Sequence, residues 1–151
     1  MITIRPSSGW SKGRYLVVAA SEKAHLEWLA FANRNPDAAK RAFERLSKNP
    51  LDRVPRKQFP LRGHFFSPFW ELEATQKERI WYAVDEVGYI TIIAARDDVH
   101  TSPKLAKVIR SRRSAYTAAV RIIRDAVKEE IAPHEKIAQP AKVPQPARKR
   151  N

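Results

Sequence analysis

Apolar and polar positions follow two different periods along this chain, and the changes of period mark its elements. Between Arg56 and Ala95 apolar residues come in short runs: Phe69 with Leu72, then Ile80, Tyr82 and Val84, then Tyr89 to Ala95. These β-branched and aromatic runs read as strands. Thr75-Gln76-Lys77-Glu78 supplies the turn between the first two, and Glu86-Val87-Gly88 introduces the third. Three strands this close in sequence predict an antiparallel meander, with one face buried and the other left for chemistry. Arg14 to Ala20 is an earlier apolar run and a further strand.

Between that strand and the meander the period lengthens to that of a helix. Ser21 offers an N-cap with Glu22 in the first turn, and Leu26, Leu29, Ala30 and Asn33 follow helical spacing. Asn35-Pro36-Asp37 breaks this helix and starts a second, with Pro36 at the first helical position. Ala39, Ala42, Phe43 and Leu46 share a face of the second helix, which ends near Asn49-Pro50. So short a break folds the two into an antiparallel hairpin, and Leu51 to Gln58 links it to the meander.

Ser102-Pro103 signals the start of a long final helix. Leu105, Val108, Ile109, Tyr116, Ala119, Val120, Ile123, Val127 and Ile131 form its apolar stripe. Lys104, Lys107, Arg110, Arg112, Arg113, Arg121 and Arg124 fall on its other face. The fold class is therefore α+β, with an N-terminal strand, a helix hairpin, a three-stranded antiparallel meander and a long C-terminal helix. Residues 1–12 are expected to be flexible, 13–113 to form the domain, 114–131 to extend the helix, and 132–151 to form a disordered basic tail. The tail expectation rests on Pro133, Pro140, Pro144 and Pro146 spaced among Ala, Gln and Lys, which bury too little apolar surface to fold.

Composition narrows the partners more than the fold. The chain has no cysteine, which excludes disulfides and thiolate metal sites, and no apolar run approaches a membrane span. The N-terminus lacks the apolar core of a signal peptide, so a cytoplasmic protein is expected. A net charge of +13 draws polyanions, and the cations sit within the folded part as well as in the tail.

Pro60-Leu61-Arg62-Gly63, Phe69-Trp70-Glu71-Leu72 and Glu78-Arg79-Ile80-Trp81-Tyr82-Ala83-Val84-Asp85 stand in the order and near the spacing of a known pattern. Together with the element order they resemble the RelE/ParE superfamily of toxins from bacterial type II toxin–antitoxin pairs, in its RelE/HigB-like branch. The resemblance covers about Arg14 to Ile109, including Val99-His100-Thr101-Ser102-Pro103 after the last strand, and so makes residues 13–113 a toxin domain of RelE-like fold. It implies a toxin that enters the ribosome and cuts messenger RNA by attack of a ribose 2′-hydroxyl on the adjacent phosphate, with no metal and no cofactor. It also implies a cognate antitoxin as partner.

That chemistry needs a base for the hydroxyl proton, cations for the phosphorane and an acid for the leaving oxygen. The resemblance places a phosphate-stabilising arginine at Arg79 and a basic position facing RNA at Arg62. The plainer reading of Arg79 is a strand arginine paired with Glu71 or Glu73 across the hairpin, and that of Arg62 a solvated loop residue. His100 falls where related toxins keep a proton-transferring residue, and imidazole exchanges protons near neutral pH; its plainer reading is a surface histidine at a helix start. Lys57, Arg56 and Arg96 are candidates for RNA backbone contacts, or else a basic linker and a strand end. His64 is a second, weaker candidate for proton transfer.

Asp97 and Asp98 depart from the basic residues of several relatives. They hold Arg96 or Arg62 in place, orient His100, or mark a member without the ribonuclease site. No further ligand cluster accompanies them, which argues against a metal. Most of the aromatics between Phe65 and Tyr82 are expected in the core, with one or two, Phe65 or Trp81, exposed where they would stack on unpaired bases. Two other functions remain open: a ParE-like inhibitor of DNA gyrase that cleaves nothing, and a non-catalytic nucleic-acid or protein-binding relative of the same fold.

Overall fold

A computed structural model describes residues 1–141, with side chains through residue 129. The chain divides into two compact units, one Met1–Ala119 and the other beginning at Val120. The first contains strands β1 (Ile2–Thr3), β2 (Leu16–Ala19), β3 (Gln58–Pro60), β4 (Trp70–Glu73), β5 (Arg79–Val84) and β6 (Tyr89–Arg96). Its helices are α1 (Glu22–Arg34), α2 (Pro36–Lys48) and the start of α3 (Ser102–Ala141), whose continuation belongs to the second unit.

The expected meander is β4-β5-β6, and it forms half of a mixed six-stranded sheet ordered β1-β2-β6-β5-β4-β3. β2 lies parallel to β6, while every other neighbouring pair is antiparallel. Residues 1–12 are not the loose segment that the sequence suggests. Ile2 and Thr3 pair with Ala19 and Val18, Ile4 is buried, and the Trp10 ring lies 5.5 Å from Phe43. The Ile2-Thr3-Ile4 alternation was long enough to add an edge strand once β2 was in place. Helix α3 likewise does not end at residue 131 but continues through Pro133 to Ala141. Pro133 and Pro140 each remove one backbone hydrogen bond, and the surrounding Ala, Glu and Lys favour helix. Residues 142–151 of the expected tail lie outside the described residues.

The sheet carries an apolar layer on each face. On one, Ala24, Trp28 and Phe31 of α1 and Ala38, Ala39, Ala42, Phe43 and Leu46 of α2 pack with Leu72, Ile80, Tyr82, Ile90, Ile92 and Ala95. On the other, Val108, Ile109 and Ala119 of α3 pack with Phe69, Trp81, Ala83, Ile93 and Ala94. Each large side chain among these stabilises by roughly 1.5–3 kcal/mol. The register of β5 on β6 shifts between Trp81 and Tyr82, so Ile93 is skipped. This bulge puts Ile90, Ile92 and Ala95 on one face and explains why β6 reads as an unbroken apolar run.

Local signals place both hairpin helices. Ser21 Oγ accepts from the Ala24 amide and Asn35 Oδ1 from the Ala38 amide, and Pro36 opens α2. In α1, however, the stripe Leu26, Leu29, Ala30 and Asn33 faces outward, with Leu26 and Leu29 exposed. Ala24, Trp28 and Phe31 face the core instead, because two aromatic rings bury more area than two leucines.

Candidate functional site

The β4–β5 turn fixes the first site residue. Thr75 Oγ1 accepts from the amides of Lys77 and Glu78, and the Arg34 guanidinium grips the buried Glu78 carboxylate through Nε (3.0 Å) and Nη2 (2.9 Å). Held on this turn, Arg79 Nη1 donates to the carbonyls of Thr75 (2.7 Å), Gln76 (2.8 Å) and Glu78 (3.3 Å). The other edge of the same guanidinium faces two carboxylates. Nε lies 3.5 Å from Glu71 Oε2 and Nη2 lies 3.4 Å from Glu73 Oε2, within ion-pair reach but longer than an ordinary hydrogen bond. One corner is therefore pinned, and the bidentate edge is only loosely engaged.

Glu71, Arg79 and Trp81 share a wall because Glu71 is the register partner of Trp81 and Glu73 of Arg79. Glu71 Oε1 accepts from the indole Nε1 of Trp81 at 3.0 Å. The opposite wall comes from Val99 to Ser102 and from Leu105 in the first turn of α3. Together these residues line a cavity of ≈ 280 Å³ that also contains His100. His100 Nε2 lies 3.0 Å from the Asp97 carbonyl. A carbonyl can only accept, so Nε2 carries the proton and Nδ1 is left for other work.

Arg79 and His100 thus meet in one place, and Arg62 does not join them. Arg62 is exposed in the loop between β3 and the short 3-10 turn His64–Phe66, outside this cavity. His64 is exposed in the same loop. Arg56 and Lys57 are exposed on the tight turn Val54–Gln58, where Arg56 takes a positive φ of 65°. Lys57 lines a different and larger cavity, ≈ 610 Å³, together with Arg41, Arg45 and Lys48 of α2.

Arg96 is the register partner of Arg79 on the next strand, yet its guanidinium turns to Asp98, with Nε–Oδ1 at 2.9 Å and Nη2–Oδ2 at 2.8 Å. It lines a third cavity, ≈ 380 Å³, with Glu27, Arg34 and Asp97. The Arg96 hydrogen bonds, with the charges of Arg96 and Lys104, hold the Asp98 carboxyl down at about 2. Of the roles open to the two aspartates, Asp98 holds Arg96 and the Asp97 backbone orients His100. Glu71 is a candidate that sequence reasoning passed over, having entered only as a partner for Arg79. The signal was its place opposite Trp81, which needs the strand register.

Among the described residues, no group of three or more His, Cys, Asp or Glu side chains is placed to hold a metal, and no helix is long and apolar enough to cross a membrane. No protein-family model and no curated protein matches the chain. Solved structures similar to it include a YoeB–YefM complex from Staphylococcus aureus, at 17% identity and a TM-score of 0.45. A YoeB dimer from the same organism is similar at 16% identity and a TM-score of 0.46. Each similarity covers 59% of this chain and 100% of the other.

Proposed function

We propose that this chain is the toxin of a toxin–antitoxin pair and acts as a ribosome-dependent messenger-RNA endonuclease. The observation that carries this reading is the convergence of Glu71, Arg79 and His100 on one cavity. They supply a carboxylate, a guanidinium and an imidazole, the three kinds of group that phosphodiester transesterification uses.

In this reading Glu71 takes the proton of the ribose 2′-hydroxyl as that oxygen bonds to the adjacent phosphorus. The Nε–Nη2 edge of Arg79 exchanges its loose carboxylate contacts for two phosphoryl oxygens and stabilises the dianionic phosphorane. The bond from phosphorus to the 5′-oxygen then breaks. His100 in its doubly protonated form gives the Nδ1 proton to that oxygen, leaving a 2′,3′-cyclic phosphate and a 5′-hydroxyl. No metal, water or cofactor enters the balance. Trp81 holds Glu71 through its indole N–H, and the Asp97 carbonyl holds His100. The partners that follow are messenger RNA on the ribosome and a cognate antitoxin, whose acidic segment the positive surface would attract.

One observation favours a second reading, a non-catalytic binding relative of the same fold. Arg79 and Arg96 both already face carboxylates, so neither presents an unopposed charge. Expression of the wild type beside Arg79→Ala, with RNA ends mapped on translated messages, separates these. Cuts at codons that vanish in the variant support the nuclease. Harmless expression without cuts supports the binding relative, and DNA damage without RNA cuts points to gyrase.

A further inference from the structure

We infer that the loop Leu61–Phe69 and the adjoining face of α3 form a stacking platform for an unpaired RNA base, with Phe65 as the ring that receives it. The inference deepens the ribonuclease reading and takes its ligand class from that reading. Of the two candidate exposed aromatics, the structure keeps Phe65, at 41% exposure, and buries Trp81 at 1%. In this loop Phe69 is buried and Leu61 and Phe66 are half-buried, while the Phe65 ring stays on the surface.

The ring is supported on several sides. Phe66 meets it edge-to-face with centroids 5.0 Å apart, and Phe66 and Leu61 pack on the α3-side core. The guanidinium carbons of Arg110 and Arg113 each lie 5.6 Å from the Phe65 centroid. Arg113 also donates to the carbonyls of Phe65 and Ser67, which fastens the loop to the helix. A pre-positioned ring loses little conformational freedom when a base stacks on it, and flanking guanidiniums add cation–π attraction and phosphate contacts.

Charge separates this surface from the cavity. No Asp or Glu occurs between Gln58 and Trp70 or between Pro103 and Arg124, whereas Arg62, Lys107 and Arg110 are all exposed there. The cavity holds Glu71, and its Arg79 also faces Glu73. A phosphate chain thus finds unopposed cations on the platform and only a compensated one in the cavity. Leu105 lines the cavity and Arg110 stands five residues further along the same helix, roughly 7.5 Å in axial rise. The platform and the cavity thus share α3, with Arg110 on the one and Leu105 on the other. Other arginine–aromatic contacts lack this combination: Trp70 beneath Arg53 is packed against the core, and Tyr15 beneath Arg14 shares its cavity with Asp85 and Glu86.

The test is fluorescence anisotropy of the full chain with a short labelled single-stranded RNA, a matched duplex RNA and a matched single-stranded DNA. Phe65→Leu keeps the apolar volume and removes the π face, and is expected to weaken single-stranded RNA about tenfold. Phe65→Trp is expected to bind at least as tightly as the wild type. Arg110→Ala should reduce the slope of log affinity against log salt by about 0.7. The inference is overturned if Phe65→Leu binds as the wild type does, if Phe65→Trp is as weak as Phe65→Leu, or if the wild type prefers duplex or DNA. Circular dichroism of each variant excludes misfolding as the cause of lost affinity. Because affinity rather than cleavage is read, an RNA-binding protein that depends on Phe65 but makes no cuts would refute the nuclease and leave the platform standing.

Discussion

The Arg112 guanidinium grips the Glu27 carboxylate with two donors, Nη1 to Oε1 at 2.8 Å and Nη2 to Oε2 at 2.6 Å. The same Nη1 donates to the Ile93 carbonyl at 2.7 Å, and Glu27 Oε1 accepts from the Ala95 amide at 3.1 Å. The pair therefore does the work of a missing strand. β2 ends its pairing at Ile92, and beyond that point the edge of β6 bonds to side chains of α1 and α3. Arg112 is 4% exposed, although its residue type and spacing placed it on the outer cationic face of the helix.

Breaking this pair on one side strands a charge and one backbone group, the Ile93 carbonyl if Arg112 is lost or the Ala95 amide if Glu27 is lost. Arg112→Met should lower stability by about 3 kcal/mol, the low end for a buried pair because Glu27 retains some solvent contact. Glu27→Leu combined with Arg112→Met should recover only part of that loss, because it removes the stranded charge but leaves the Ile93 carbonyl and the Ala95 amide without their side-chain partners. Urea unfolding midpoints check both. A single variant that unfolds with the wild type would remove the pair from any account of how α3 is held.

Arg79 offers a sharper test of chemistry than of stability. A lysine keeps the charge but cannot donate to three carbonyls while presenting a planar edge to Glu71 and Glu73. On the proposed nuclease reading, Arg79→Lys should therefore cut messenger RNA at least about 100-fold more slowly, as removal of an oxyanion-type donor does. His100→Ala should cost about 10²–10⁴ in rate, and combining it with Glu71→Gln should cost little more than either alone. Single-turnover cleavage on translating ribosomes reads all three. Independent, multiplying losses would show that the groups do not act as one unit.

What the sequence disclosed was mostly local. Ser21, Asn35 and Pro36 cap the hairpin helices as their types require, and Thr75 closes the turn. The alternation through β4 and β5 placed Arg79 beside Glu71 and Glu73. What it withheld depends on partners distant in the chain. Periodicity offered two stripes on α1 and could not say that Trp28 and Phe31 would win the core. The parallel pairing of β2 with β6 and the edge strands β1 and β3 leave little trace in short segments. Glu71 became a site residue only when α3 closed the cavity above it, and Arg62 was carried by its motif to a loop outside that cavity.

The Asp98 carboxyl, held at about 2 by Arg96 and Lys104, makes a dependence on acid. Its folded value is depressed below the ordinary carboxylate value of about 3.9, so its contribution is present above that pH and fades as pH falls towards 2. Half of the side chain is exposed, which keeps the stabilisation below about 1 kcal/mol. Carbon-detected NMR titration should find Asp98 well below the ordinary aspartate value, and added salt should move it upward. Arg96→Gln should raise it towards the ordinary value, with Lys104 still holding it down in part. An Asp98 that titrates normally in the wild type would mean that the Arg96 fork is not held in solution.

Tyr82 makes the opposite dependence, on alkali. Its ring is fully buried and its hydroxyl donates to the Pro50 carbonyl at 2.7 Å, tying β5 to the end of the helix hairpin. Burial pushes the phenol well up, against smaller lowering effects of Gln58 and Arg45. In the unfolded chain the same phenol ionises near about 10. A raised folded value means that stability is complete below that pH and is lost as pH rises above it, because only the unfolded chain releases the proton. One such group steepens the decline by up to about 1.4 kcal/mol per pH unit. Tyr82→Phe should lower stability at neutral pH by about 1–2 kcal/mol, through the lost bond and the unsatisfied Pro50 carbonyl. It should also flatten the alkaline limb by that one-proton slope. Urea midpoints from pH 8 to 11 for the two proteins give both quantities, and parallel limbs would show that Tyr82 is not the group that titrates on unfolding.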